Sequence, residues 1–172
     1  IEPLPGRRVC FPPPDRPNSR ETETRATMWS QLLSGAAVSL INFAIHGVIT
    51  GVIVVATRHT ARVTTEKGML VRLFSLLTVT MVALMTAHVI EISVWAGYYG
   101  VIALKLNNAT HFEFAFENYT ALGYGDALPV EGNRLIGPMT ALNGVLLIGW
   151  SVAVIFEVMR MAELHFGKGR RD

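Results

Sequence analysis

Two groups of residues in this chain have types and spacings suited to chemistry. The first is the run Thr120-Ala121-Leu122-Gly123-Tyr124-Gly125-Asp126. Glycine takes positive φ without a steric penalty, so Gly-Tyr-Gly permits a backbone of alternating handedness that turns successive carbonyls the same way. A row of aligned carbonyls is a cation site. The second group is His46, His88 and Glu91, polar side chains set in long apolar stretches. An ionised glutamate at mid-membrane is costly, so Glu91 calls for a polar partner, and His88, three residues earlier, lies on the same helical face.

The elements that must hold these residues are set by composition. Of 172 residues, 51% are hydrophobic and 16% charged, below the roughly 25% charged of soluble domains, which points to lipid. The net charge of +2 is too small for a nucleic-acid binder, and the basic residues lie in tails and one loop rather than on a face with aromatics. The single cysteine, Cys10, excludes an intrachain disulfide. Partners are therefore the bilayer and other membrane segments, and nothing points to an enzyme.

Residues 1–27 carry six prolines, five arginines and four acids, and read as a disordered tail that is possibly not native. Leu32 to Thr57 is free of charge and long enough to cross a bilayer; with its flanks it makes an additional membrane helix over 28–60. Gly47 and Gly51, four apart, permit close helix contact there. A basic loop follows, with Arg58, His59, Arg62, Lys67 and Arg72 opposed only by Glu66. The next helix spans 69–97 and ends in Trp95, Tyr98 and Tyr99, rings suited to the headgroup level. Residues 110–121 are apolar and aromatic but too short to span, so they read as a re-entrant helix. Irregular backbone at that depth must be buried in protein or line a wet cavity, which locates the 121–126 stretch. A last helix over 134–160 precedes a short basic tail, 161–172.

In that last helix Thr140, Asn143, Leu147 and Ser151 share one face. They either line a cavity or supply interhelical hydrogen bonds. Gly144 and Gly149 are places where the helix can bend, and Pro138 is expected to tilt its first turns. Positive charge concentrates on cytoplasmic loops, which puts the 58–72 loop and the carboxyl terminus inside, and the Asp126 end of the glycine stretch and the amino terminus outside.

Span, short re-entrant helix, Gly-Tyr-Gly-Asp and span, in that order, resemble the bacterial single-pore potassium channels over roughly Met69 to Met159. The wording of Ala87-His-Val-Ile-Glu-Ile-Ser-Val-Trp-Ala96 and Leu142-Asn-Gly-Val-Leu-Leu-Ile-Gly-Trp-Ser151 is similar to a subgroup with one extra helix ahead of the pore unit. The resemblance implies an all-α membrane protein of three transmembrane helices, a pore helix and a selectivity-filter loop, assembled as a homotetramer in the inner bacterial membrane. It implies potassium at the filter carbonyls of Ala121, Leu122, Gly123 and Tyr124, with Glu117, Gly125, Asp126 and Glu91 as support. Glu117 and Asp126 would pair through a shared proton, because two close carboxylates cannot both ionise cheaply. Gly144 and Gly149 would be the inner-helix hinge. No cofactor is implied beyond the permeant potassium ion. Ala121 departs from the family's usual threonine, which weakens the innermost ion site and keeps open a weakly selective cation channel or a non-conducting subunit. A further alternative is a haem- or metal-binding membrane protein using His46, His88 and Glu91; the expected depths of the two histidines, one mid-span and one nearer the outer end, weigh against it.

Overall fold

The computed structural model describes residues 19–63, 69–106, 110–123 and 133–168. Its elements are α1 (Ser19–Val63), α2 (Met69–Val101), α3 (His111–Tyr119) and α4 (Ile136–Lys168). Three of them contain stretches long and apolar enough to cross a membrane, Thr27–Arg58, Leu73–Val101 and Ile136–Ala162. α3, at 9 residues, cannot. Of the stretch 58–72 expected as a loop, 58–63 belong to α1 and 69–72 to α2, and residues 64–68 lie outside the described residues.

Helix α1 takes in residues 19–27, which composition assigned to the disordered tail. No proline follows Pro17 before the span, and Arg20, Glu21, Glu23, Arg25 and Ala26 are strong helix formers, so the helix propagates outward from its apolar part. For the same reason α4 runs on to Lys168, through Met161, Ala162 and Leu164, into the segment expected to be a tail.

The distribution of side chains is the reverse of a soluble protein. Leu33, Leu40, Val48, Val55, Phe74 and Val79 are exposed, whereas Asn42, His46, Glu91, Thr140 and Asn143 are buried. In lipid there is no gain from hiding leucine, but every polar group must find a partner, so polar residues go inside. α1 packs on α2 and α4, and α3 is wedged between α2 and α4 without approaching α1. Gly35 makes the α1–α4 approach possible, since a Cβ there would stand 2.7 Å from the Met139 sulfur. At Gly51 a Cβ would meet nothing within 4 Å, and at Gly47 only the rim of Trp150 at 3.9 Å, so that glycine pair is not a close-contact motif within the chain.

Trp95 and Tyr99, expected at the headgroup level, are fully buried instead. They form part of the core against α3, where Tyr99 packs on Phe114 with ring centroids 5.2 Å apart.

Candidate functional site

The short helix α3 is held at both ends by its own sequence. At its start Thr110 and Glu113 form a capping box: the Thr110 hydroxyl oxygen accepts from the Glu113 amide at 3.2 Å, and Glu113 Oε2 accepts the Thr110 amide at 2.7 Å. This satisfies two of the donors a helix start leaves unpaired. The Thr110 backbone amide holds the Glu113 carboxyl below its usual range, with the Thr110 hydroxyl adding to the effect.

At its end the Ala121 amide donates to Asn118 O at 2.9 Å and the Leu122 amide to Glu117 O at 3.0 Å. This is a Schellman turn, with alanine at the left-handed position usually held by glycine. Ala121 has φ of 54° and Gly123 of 57°, with Leu122 between them on the negative side. The backbone therefore alternates in hand over residues 121–123, all exposed. Tyr124, Gly125 and Asp126 lie outside the described residues, and with them the Glu117–Asp126 pair; Glu117 itself is half-buried. Helix α2 ends in the same way: Ala103 has φ of 50°, its amide donates to Gly100 O at 3.1 Å, and the Leu104 amide donates to Tyr99 O at 3.0 Å.

The turn is pressed against α4. A Cβ at Gly144 would collide with the Tyr119 carbonyl oxygen, so this glycine is where α3 seats its carboxyl end on α4. α4 runs unbroken through Gly144 and Gly149, and at Gly149 a Cβ would meet nothing. Pro138 sits in the first turn, where its missing N–H has no helical acceptor to lose; the first bond comes from the Met139 amide to Leu135 O at 3.0 Å. Pro138 thus removes no bond and has no reason to tilt the helix.

Thr140, Asn143, Leu147 and Ser151, candidates for cavity lining, are all buried within the chain. Thr140 hydrogen-bonds the Tyr99 hydroxyl. Asn143 Oδ1 accepts from Asn42 Nδ2 at 3.0 Å and from Trp95 Nε1 at 2.9 Å. Leu147 joins the aromatic core, and Ser151 meets His88. The stripe supplies interhelical hydrogen bonds within the chain, with α1 and α2 standing over that face.

Below this lies a polar box that draws on all four helices. His46 Nδ1 stands 2.8 Å from Glu91 Oε1, and His88 Nδ1 stands 3.1 Å from Glu91 Oε2. The Tyr119 hydroxyl donates to Glu91 Oε2 and lies 2.8 Å from His88 Nδ1. Ser151 Oγ is 2.9 Å from His88 Nε2 and 3.4 Å from His46 Nε2. The two imidazole centroids are 5.4 Å apart, so the histidines do not lie at different depths. Residue counts along each helix from its own end do not fix this level, because they leave open how α1 slides against α2. Glu91 thereby holds α3 through Tyr119. Sequence reading did not single out Asn42 or Tyr119 and gave Trp95 only a place at the headgroup level; the signal present was spacing, since Asn42 and His46 share one face of α1, as do Glu91 and Trp95 of α2.

Residues 77–161 match the family model described as ion channel. The matched segment, just under half of the chain, runs from within α2 through α3 to the end of the α4 span. It supports an ion channel embedded in a membrane, with helices arranged as in a channel pore domain. No curated protein and no solved structure matches the chain.

Proposed function

We propose that the chain is one subunit of a potassium-selective channel in which four copies surround the 121–126 stretch and conduct passively. The observation that carries this is the turn after α3: a short capped helix ends in residues of alternating hand that lead directly into Gly-Tyr-Gly, between two spans, inside the matched ion-channel segment. Alternating hand is what allows consecutive carbonyls to face one axis and replace an ion's water shell. One such turn cannot close a ring, so function requires a cyclic assembly. The bonds at Ala121 and Leu122 tie up the Glu117 and Asn118 carbonyls, and the filter oxygens are then those of Ala121, Leu122, Gly123 and Tyr124, supported by Gly125 and Asp126.

The basic 58–72 loop favours an orientation in the inner bacterial membrane with the filter mouth and amino terminus outside and the carboxyl terminus in the cytoplasm. Because the polar stripe of α4 is buried within the chain, the cavity below the filter is lined by the opposite, apolar face. Glu117 pairs with Asp126 through one proton beside the filter; unchanged inactivation in Glu117→Ala speaks against that pairing.

The test is potassium flux into liposomes holding the purified protein, with sodium as control. Fast potassium and slow sodium entry are expected. Equal rates would make it a weakly selective cation channel, the reading favoured by Ala121, which offers its carbonyl but no hydroxyl to the innermost site. Absence of both fluxes would leave a non-conducting subunit.

A further inference from the structure

The polar box at His46, His88, Glu91, Tyr119 and Ser151 holds six close polar contacts, and with both imidazoles neutral and Glu91 ionised it has four hydrogens to share among them. Both imidazole Nε2 atoms point at the Ser151 hydroxyl, at 2.9 and 3.4 Å. A hydroxyl owns one hydrogen and cannot donate to two acceptors, but its oxygen can accept from two N–H groups. If both imidazoles carry their hydrogen on Nε2 and donate to Ser151, every contact on that side is satisfied. Both Nδ1 lone pairs then face the Glu91 carboxylate, at 2.8 and 3.1 Å. Lone pairs so placed against an anion repel unless a cation lies between them.

Charge makes the same demand. Glu91 is fully buried in a membrane-spanning helix, and its ion-pair partners among the described residues are the two imidazoles alone. An uncompensated carboxylate at that depth is disfavoured by several kcal/mol. The donors His46 Nδ1, His88 Nδ1, the Glu91 carboxylate and the Tyr119 hydroxyl come from three helices and converge from different directions.

We propose that these four groups bind one divalent transition-metal ion of the zinc class, with Ser151 as the outer acceptor that orients both imidazoles. Two imidazoles with a carboxylate and a phenol oxygen form a borderline donor set, suited to zinc and its neighbours rather than to calcium, magnesium or potassium. Three neighbouring pairs of donors lie 2.8, 3.1 and 2.8 Å apart, a little inside the roughly 3.3 Å edge of a tetrahedron with bonds of about 2.0 Å, and the Tyr119 hydroxyl and Glu91 Oε2, closer still, must part to admit an ion. The ligand atoms of His46, His88 and Glu91 all fall within 4.8 Å of one another, so seating an ion takes at most about 1.5 Å of closing for the widest pair and about half an ångström of opening for the nearest ones. Each imidazole keeps its single hydrogen, on Nε2. Tyr119 releases its proton to solvent, and the ion, carboxylate and phenolate sum to no net charge. Ser151 takes the place of the outer-shell acceptor that ligating histidines generally have. Haem does not fit, because Glu91 and Ser151 bridge the two rings from either side and leave no slot for a macrocycle. An apolar groove of about 300 Å³, bordered by Met85, His88, Ile92, Phe116, Tyr119 and Ser151, adjoins the box at the edge of His88.

The experiment uses the full chain in detergent, stripped with chelator and reloaded with Zn2+ or Co2+, so conduction plays no part in the readout. One ion per chain by elemental analysis is expected, with the visible d–d bands of tetrahedral Co2+. Affinity should fall at least tenfold in His88→Gln and in His46→Gln, and stay unchanged in Glu157→Gln, which alters an exposed pair with Arg160. Failure of the helical, folded wild-type chain to take up either ion overturns the site without recourse to any variant, and leaves a single excess proton as the cation in the box. Bands that persist in both histidine variants overturn the ligand assignment.

Discussion

The two faces of α4 are built on opposite rules. The face toward α1, α2 and α3 carries Thr140, Asn143, Leu147 and Ser151, all buried, and every polar member is hydrogen-bonded to another helix. The opposite face carries Leu142, Val145, Leu146, Val152 and Phe156, all exposed, with no polar anchor among them. The polar face specifies one register between helices, because its hydrogen bonds to Asn42, His88, Trp95 and Tyr99 form only at one offset of the helices. The apolar face specifies nothing within the chain and is free to meet lipid or other copies. Rigidity in this protein therefore comes from a polar seam inside the bundle, and any moving or assembling surface belongs to the apolar side.

Substitutions that treat the two faces alike would break this comparison. The largest effect is expected for Glu91→Ala, which takes away the carboxylate on which His46, His88 and Tyr119 converge. Breaking one partner of a buried pair costs about 3–5 kcal/mol, read as a fall in thermal unfolding temperature in detergent. Glu157→Ala, in an exposed pair with Arg160, should not shift that temperature measurably; equal losses at both sites would sink the distinction.

Next is Gly144→Ala. Its methyl meets a backbone carbonyl that cannot rotate away, so α3 must shift, at a cost of about 1–3 kcal/mol or more. Gly149→Ala meets nothing and should be neutral or stabilising by about 0.5–1 kcal/mol, as helix propensity dictates. If Gly144→Ala is as well tolerated as Gly149→Ala, α3 is not seated where the structure has it.

A smaller change is expected at the turn after α3. Ala121 sits in the left-handed region, which disfavours a side chain by about 1–2 kcal/mol. Ala121→Gly should therefore raise the unfolding temperature, while Ala121→Thr, with a β-branched side chain at the same φ, should lower it. A threonine variant that gains stability together with potassium occupancy would show that the turn relaxes in the assembled protein. The smallest effect concerns pH. The Glu113 carboxyl titrates below its ordinary value of 4.5, so its contribution to the cap is fully present above about 4.5 and is lost as pH falls through the lower folded value. Helix content over α3 should decline on acidification in wild type, and Glu113→Gln should flatten that dependence.

Much of this architecture was legible in the sequence. Long uncharged runs leave no alternative to membrane helices, and a short aromatic run between them, followed by Gly-Tyr-Gly, cannot be a span. Thr110 and Glu113 mark the start of α3 by spacing alone, and the faces shared by Asn42 with His46, and by His88 with Glu91, follow from helical periodicity. What could not be read is how far one helix slides along another, because each sequence stripe is silent about its partner. That offset decides that His46 meets His88, that Asn143 serves Asn42 and Trp95 instead of a cavity, and that Trp95 and Tyr99 turn inward rather than rest at a lipid surface. Chain order and composition determined the helices and the handed turn; only three-dimensional packing decided that the box around Glu91 is where four helices meet, since hydrogen-bond partners are chosen by distance in space and not along the chain.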